Sequence, residues 1–180
     1  MKKITLFTIV VVACFAVKIS AQSEATVSST ASASLLVAMS LSEASPLNFG
    51  SSLLPSIAGG TIVLHSNSTN RDYTGGVATS AATPAPSMAA FNVVGTGLET
   101  YAIVLPSLIT VWHTSISTGV HTMDINSMTS LFNGAVSNAT TSTLESNGTD
   151  SFTVGATLNV QEDQIGGQYS GTFQVSVDYN

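Results

Sequence analysis

FTVGATLNV at 152–160 and QYSGTFQVSVDYN at 168–180 decide the fold. In the first, Phe152, Val154, Ala156, Leu158 and Val160 alternate with Thr153, Gly155, Thr157 and Asn159. In the second, Tyr169, Gly171, Phe173, Val175, Val177 and Tyr179 alternate with Ser170, Thr172, Gln174, Ser176 and Asp178. A period of two sends each apolar set to one face of an extended chain, so both stretches read as half-buried strands. The polar residues between them carry Gly166-Gly167, which can supply the positive φ of a turn, and predict a hairpin joining the two.

Upstream, short apolar runs are punctuated by turn residues. Candidate strands are Thr61 to His65, Gly76 to Thr79, Ala89 to Val94, Thr100 to Leu105, Leu108 to Trp112 and Thr122 to Ser127. Gly59-Gly60, Gly75-Gly76, Gly95-Thr96-Gly97, Pro106-Ser107, Asn133-Gly134 and Asn147-Gly148 separate them. With no helical period after the N-terminal segment, the expectation is an all-β chain: an immunoglobulin-like antiparallel β-sandwich of about 7 to 9 strands.

The N-terminus gives an address. Lys2 and Lys3 precede an apolar run from Ile4 to Val17, and Ala21 offers a small residue before Gln22, so residues 1–21 read as a secretory signal peptide. Val11-Val12-Ala13-Cys14 loosely resembles a lipobox, but Phe15-Ala16-Val17 continues the apolar core where a lipidated chain turns polar. No later run approaches the ~18 apolar residues of a membrane span, so no transmembrane segment is expected after cleavage. Beyond residue 21, ten acidic residues face one strong base, Arg71, a net charge of −9, and neither lysine nor cysteine remains. Nucleic-acid binding needs clustered Lys or Arg and is excluded. Without a disulfide, the 159 residues left (180 less 21) must hold together by their core, and they suffice for one domain, residues 35–180.

Residues 22–34 are either an N-terminal extension or the start of a first strand. From Ala25 to Leu41 the residues Ala25, Val27, Ala31, Ala33, Leu35, Val37, Met39 and Leu41 share one parity. Such a run would extend roughly 56 Å, far beyond one sandwich strand. Either the first strand bends between sheets behind a loose tail, or Ala25 to Ala33 pairs with a neighbouring molecule and Leu35 to Leu41 is the domain's own first strand.

Chemistry is scarce. His65, His113 and His121 have no zinc-like spacing, Glu162-Asp163-Gln164 is too poor in alternating oxygens for calcium, and Gly-x-Ser-x-Gly is absent. No catalytic residue, metal site or cofactor is assigned, and the chain is expected not to be an enzyme. Trp112, Tyr101, Tyr169 and Phe173 could line a sugar-binding face, although strand aromatics are more often core.

Leu47-Asn48-Phe49-Gly50, Gly75-Gly76-Val77, Ala90-Phe91-Asn92-Val93, the Tyr101 to Pro106 strand, the Phe152 to Val160 and Gly167 to Phe173 stretches and the closing Val177-Asp178-Tyr179 resemble the domain of unknown function 4402 family over about Ala33 to Asn180. The resemblance implies an immunoglobulin-like sandwich on exported bacterial proteins, found in the periplasm, at the cell surface or outside the cell. The C-terminal stretch is also similar to chaperone-assembled pilin subunits, with Gly167 and Tyr179 at the positions of their glycine and penultimate aromatic, although such pilins often carry a cysteine pair that is absent here.

Sheet edges are usually guarded by lysine or other charges, and this chain has few. The first expectation is therefore a surface structural or adhesive subunit joined to copies or sister subunits by β-strand addition, with Val27, Ala31 and Ala33 filling a groove bordered by Phe173, Val175, Val177 and Tyr179. The alternative is a stand-alone secreted module recognising a glycan or protein through the loops around Ser66 to Gly75 and Thr79 to Ser87.

Overall fold

The stretch Thr149–Val160 is the axis of the molecule: Phe152, Val154, Ala156, Leu158 and Val160 all turn inward and are buried. The structure is a computed structural model that describes residues 24–53, 58–133 and 138–180. The expected signal peptide at 1–21 with Cys14, residues 22 and 23 of the expected extension, and Gly134 of the Asn133-Gly134 turn lie outside these. The chain divides between Ser34 and Leu35. Of the first unit, the described residues 24–34 are exposed and carry no ladder.

The described residues of the second unit form thirteen strands. They are β1 (Ser40–Ser45), β2 (Ser52–Leu53), β3 (Gly60–Leu64), β4 (Arg71–Gly75), β5 (Ala78–Thr79), β6 (Ala89–Val94), β7 (Thr100–Val104), β8 (Ile109–His113), β9 (Thr122–Phe132), β10 (Thr141–Thr143), β11 (Thr149–Val160), β12 (Tyr169–Ser170) and β13 (Ser176–Tyr179). All pairings are antiparallel. The large sheet runs β1-β6-β11-β9-β8-β12, a small sheet runs β10-β7-β13, and β2-β5 is a separate ribbon. Strand order makes this an immunoglobulin-like sandwich: β1-β6-β11-β9 repeats the A-B-E-D sheet, and β7 beside β13 repeats C beside F.

One edge of β11 serves two neighbours in turn. Thr149 to Val154 pair with β6, and Ala156 to Val160 pair with β3, which carries β4 as the next strand out. The core divides accordingly. Over the first half of β11, Phe91 stacks on Phe152 at 5.2 Å, and Tyr101 reaches across from the small sheet to meet Phe132 edge-on at 5.9 Å. Over the second half, Ile62, Leu64, Ile109, Val111, Met123, Ile125 and Leu158 make another cluster. Phe173, Leu47 and Met128 touch both.

Several expectations are corrected. The 152–160 and 168–179 stretches do not pair as a hairpin. Gln164 Nε2 donates to Val120 O at 2.8 Å and Gln161 Nε2 to Thr122 O at 3.0 Å, which carries the intervening loop over the start of β9 to the edge of β8. Nor is Gln168 to Tyr179 one strand: β12 pairs with β8, β13 pairs with β7, and residues 171–175 cross between the sheets. Gly171 permits this departure, since a Cβ there would lie 2.8 Å from Thr110 O. β9 outruns its predicted end because of a bulge. Ser127 has φ 49° and the register against β11 slips beside it, so inward residues change from Met123 and Ile125 to Ser130 and Phe132. The first strand is Ser40–Ser45, with no ladder in the described residues before it, so neither a bent strand from Ala25 nor one from Leu35 to Leu41 forms. Part of the proposed Ser66 to Gly75 binding loop is β4, laddered to β3 from Leu64↔Arg71 to Gly60↔Gly75.

Candidate functional site

The edge of the small sheet at β13 is the feature that a sandwich of this order would normally cover. β13 pairs with β7 through Ser176↔Val104 to Tyr179↔Tyr101, and no described strand takes its other edge, where a seventh, G-type strand would lie. The preceding Thr172, Phe173 and Gln174 make no backbone hydrogen bond to any described residue. Across from this edge, β1 closes the large sheet and is likewise paired on one side only, with β6. Met39 and Leu41 from the β1 side and Phe173, Val175, Val177 and Tyr179 from the C-terminal side are all half-buried against the Phe91–Phe152 cluster. These half-buried apolar side chains lie between two backbone edges that no described strand takes, edges that approach each other directly where β1 meets β13.

Tyr179 forms a clasp at one end. The Tyr179 hydroxyl donates to Val37 O at 2.7 Å and accepts from the Thr96 amide at 2.6 Å, while the Val37 amide donates to Thr96 Oγ1 at 2.6 Å. Gly95 leaves room for it: a Cβ there would sit 2.5 Å from the Tyr179 hydroxyl and push the phenol aside. The clasp holds the backbone at Val37 but leaves apolar side chains in water: Leu35 is 93% and Val37 61% exposed. Residues 39–179, from Met39 to the clasping Tyr179, match the family described as Domain of unknown function (DUF4402). The chain belongs to that family. No curated protein and no solved structure matches the chain significantly.

In this DUF4402 domain the predicted site residues fall into two groups. Phe173, Val175, Val177 and Tyr179 are half-buried against the Phe91–Phe152 cluster in the alternation that the sequence shows. Val27, Ala31 and Ala33 belong to the first unit and are exposed, Val27 at 93%. Met39 and Leu41 on the β1 side, and Val37 and Thr96 in the clasp, are residues that sequence reasoning missed. Met39 and Leu41 carried a signal in their alternation, whereas the Thr96 contact depends wholly on tertiary structure.

The histidines, Arg71 and Tyr101 of the DUF4402 domain are engaged locally. His65 Nε2 meets Asp72 Oδ2 at 2.8 Å, His113 Nδ1 accepts the Ser115 and Ile116 amides, and His121 Nδ1 lies 2.7 Å from Gly119 O. Among the described residues no three His, Cys, Asp or Glu side chains converge as metal ligands would. Arg71 is committed to structure: its Nη1 donates to Phe49 O at 2.6 Å and Ser51 O at 2.7 Å, its Nη2 to Ser80 O at 3.2 Å, and its guanidinium lies over the Tyr73 ring. Tyr101 donates to Asp150 Oδ2 at 2.9 Å, beside Ser142 Oγ at 2.7 Å. Burial above all, then the Asp150 carboxylate, hold the Tyr101 phenol well above the usual tyrosine range, against a smaller opposing effect of Ser142.

Proposed function

We propose that the chain is an exported, non-catalytic structural or adhesive subunit of a bacterial surface that assembles by β-strand addition, the outer edge of β13 receiving an extended segment from a neighbouring subunit. The observation that carries this reading is the one-sided pairing of β13 next to half-buried Val175, Val177 and Tyr179. An added strand there would satisfy idle backbone donors and acceptors and cover the partly wetted edge of the core, two gains that favour the same occupant. The donor segment is Ala25 to Ala33, whose Val27, Ala31 and Ala33 share one parity. Nine residues of extended chain span roughly 30 Å, the same length as residues 171–179 along the receiving edge. Export rests on Lys2-Lys3 and the apolar run behind them.

The test compares chains 22–180 and 35–180 by light scattering coupled to size-exclusion chromatography. The longer chain assembles, the shorter stays monomeric, and a synthetic 22–34 peptide binds the shorter one; Val27→Asp in the longer chain abolishes assembly. Two equally stable monomers with no peptide binding refute the reading.

A further inference from the structure

The outer face of the large sheet carries an ordered polar row. Thr110 on β8, Asp124 on β9, Asn159 on β11, Thr61 on β3 and Thr74 on β4 are successive cross-strand partners, each directly opposite the next. Their chain neighbours Ile109, Val111, Met123, Ile125, Leu158, Val160 and Ile62 are buried, so the row faces away from the core. Four inter-strand steps make it roughly 19 Å long. It is partly fixed by its own contacts. Thr110 Oγ1 donates to Asp124 Oδ1 at 2.9 Å, Asn159 Nδ2 donates to Asp124 O at 3.1 Å, and the Thr61 and Thr74 hydroxyls lie 2.7 Å apart. Asp124 Oδ2 and Asn159 Oδ1 make no hydrogen bond to any described residue. At one end, two residues along β8 from Thr110 and on the same face, stands Trp112, 53% exposed. Of the four aromatics that the sequence offered for a sugar face, Tyr101 is core and Tyr169 and Phe173 pack against it; Trp112 alone stands in solvent.

We propose that this face binds a neutral glycan chain, with the Trp112 indole stacked on one sugar ring and the Asp124–Asn159 pair taking hydroxyls of the rings that follow. Sugar hydroxyls both donate and accept, which suits a free carboxylate oxygen beside a free amide carbonyl and threonine hydroxyls. A pyranose also presents apolar C–H faces, for which a half-exposed indole is the matching surface. The charge selects against acidic polymers: the row holds a carboxylate and no base, and Arg71 is bound to three carbonyls. A protein partner fits less well, since a protein hot spot needs a desolvated apolar centre and the centre here is carboxylate, amide and hydroxyl. The site is separate from the β13 edge and does not depend on it.

Trp112 is the chain's only tryptophan, so its emission reports this face alone. The soluble chain 22–180 is titrated with cello-, chito-, malto- and manno-hexaose, with oligogalacturonate as the acidic control. A saturable blue shift with at least one neutral oligosaccharide, none with the acidic one, and at least tenfold loss of the shift's affinity in Asp124→Ala are expected. Retention in native gels containing the matching polysaccharide should vanish in Trp112→Ala and persist in part in Trp112→Phe, with the urea midpoint of both variants unchanged. No shift with any neutral sugar, a shift with the acidic one alone, or full retention of Trp112→Ala overturns the proposal.

Discussion

Replacing Gly155 by alanine tests the way β11 changes neighbours. A Cβ at this position would lie 2.3 Å from Leu64 O, 2.4 Å from Ser66 N and 2.5 Å from His65 C. All three are main-chain atoms, so no side chain can swing aside, and the end of β3 must move by about 1 Å to reach ordinary contact. Forced overpacking of this kind costs about 1–3 kcal/mol. The shift also strains the Ala156↔Leu64 pairing and the Thr153 Oγ1 bond to Ser66 O at 2.5 Å, each worth about 0.5–1.5 kcal/mol. The sum is roughly 2–6 kcal/mol. With urea m-values of about 1–3 kcal/mol/M, the midpoint should fall by about 0.7 M or more. Gly166→Ala is the matched control: a Cβ there meets nothing within 4 Å, and the change should stay within about 0.5 kcal/mol of neutral. Equal midpoints for Gly155→Ala and Gly166→Ala would refute the close approach of β3 to β11.

Three further outcomes are expected. At pH 8, Tyr101→Phe should be less stable by about 1–3 kcal/mol, because Asp150 loses a donor. The folded phenol is held neutral above its usual range while the unfolded one ionises near 10, so wild-type stability falls as pH rises past about 10 and its advantage over Tyr101→Phe narrows; melts showing a constant difference up to pH 11.5 would contradict this. Arg71→Lys should cost about 2–4 kcal/mol in urea unfolding, since an ammonium cannot serve Phe49 O, Ser51 O and Ser80 O together; a lysine variant as stable as wild type would show that the fork is unnecessary. Tyr179→Phe should accelerate hydrogen exchange at the Thr96 amide at least tenfold by opening the clasp, and unchanged protection there would remove Tyr179 from that role.

What the sequence made legible follows from what period-two patterning measures. Ala89 to Val94 matches β6 residue for residue, since both its ends carry clear turn chemistry. Phe152 to Val160 is visible because one face is continuously buried. Phe173 to Tyr179 kept its alternation through a change of sheet, because alternation records an extended backbone and one wetted side and says nothing about the partner. For the same reason the half-burial of Phe173, Val175, Val177 and Tyr179 was legible and the Tyr179 clasp was not. β4 went unread because Arg71-Asp72-Tyr73-Thr74-Gly75 is an edge strand: its inward Arg71 and Tyr73 and outward Asp72 and Thr74 give no apolar rhythm. Gly155 occupied a solvent-face position by parity, yet it is buried under the end of β3, a covering that only the tertiary structure supplies.

The commitment of Arg71 has a practical side. Past residue 21 it is the only peptide bond that trypsin-like enzymes can cut, for the chain offers no other basic residue there. That bond lies within a laddered strand, and the guanidinium such an enzyme must swallow is already gripped by three carbonyl oxygens. Digestion therefore has to wait for β4 to peel away. A chain so built withstands trypsin-like enzymes while folded, and where cleavage outpaces reclosing the rate of nicking at this one site is a direct clock of that peeling.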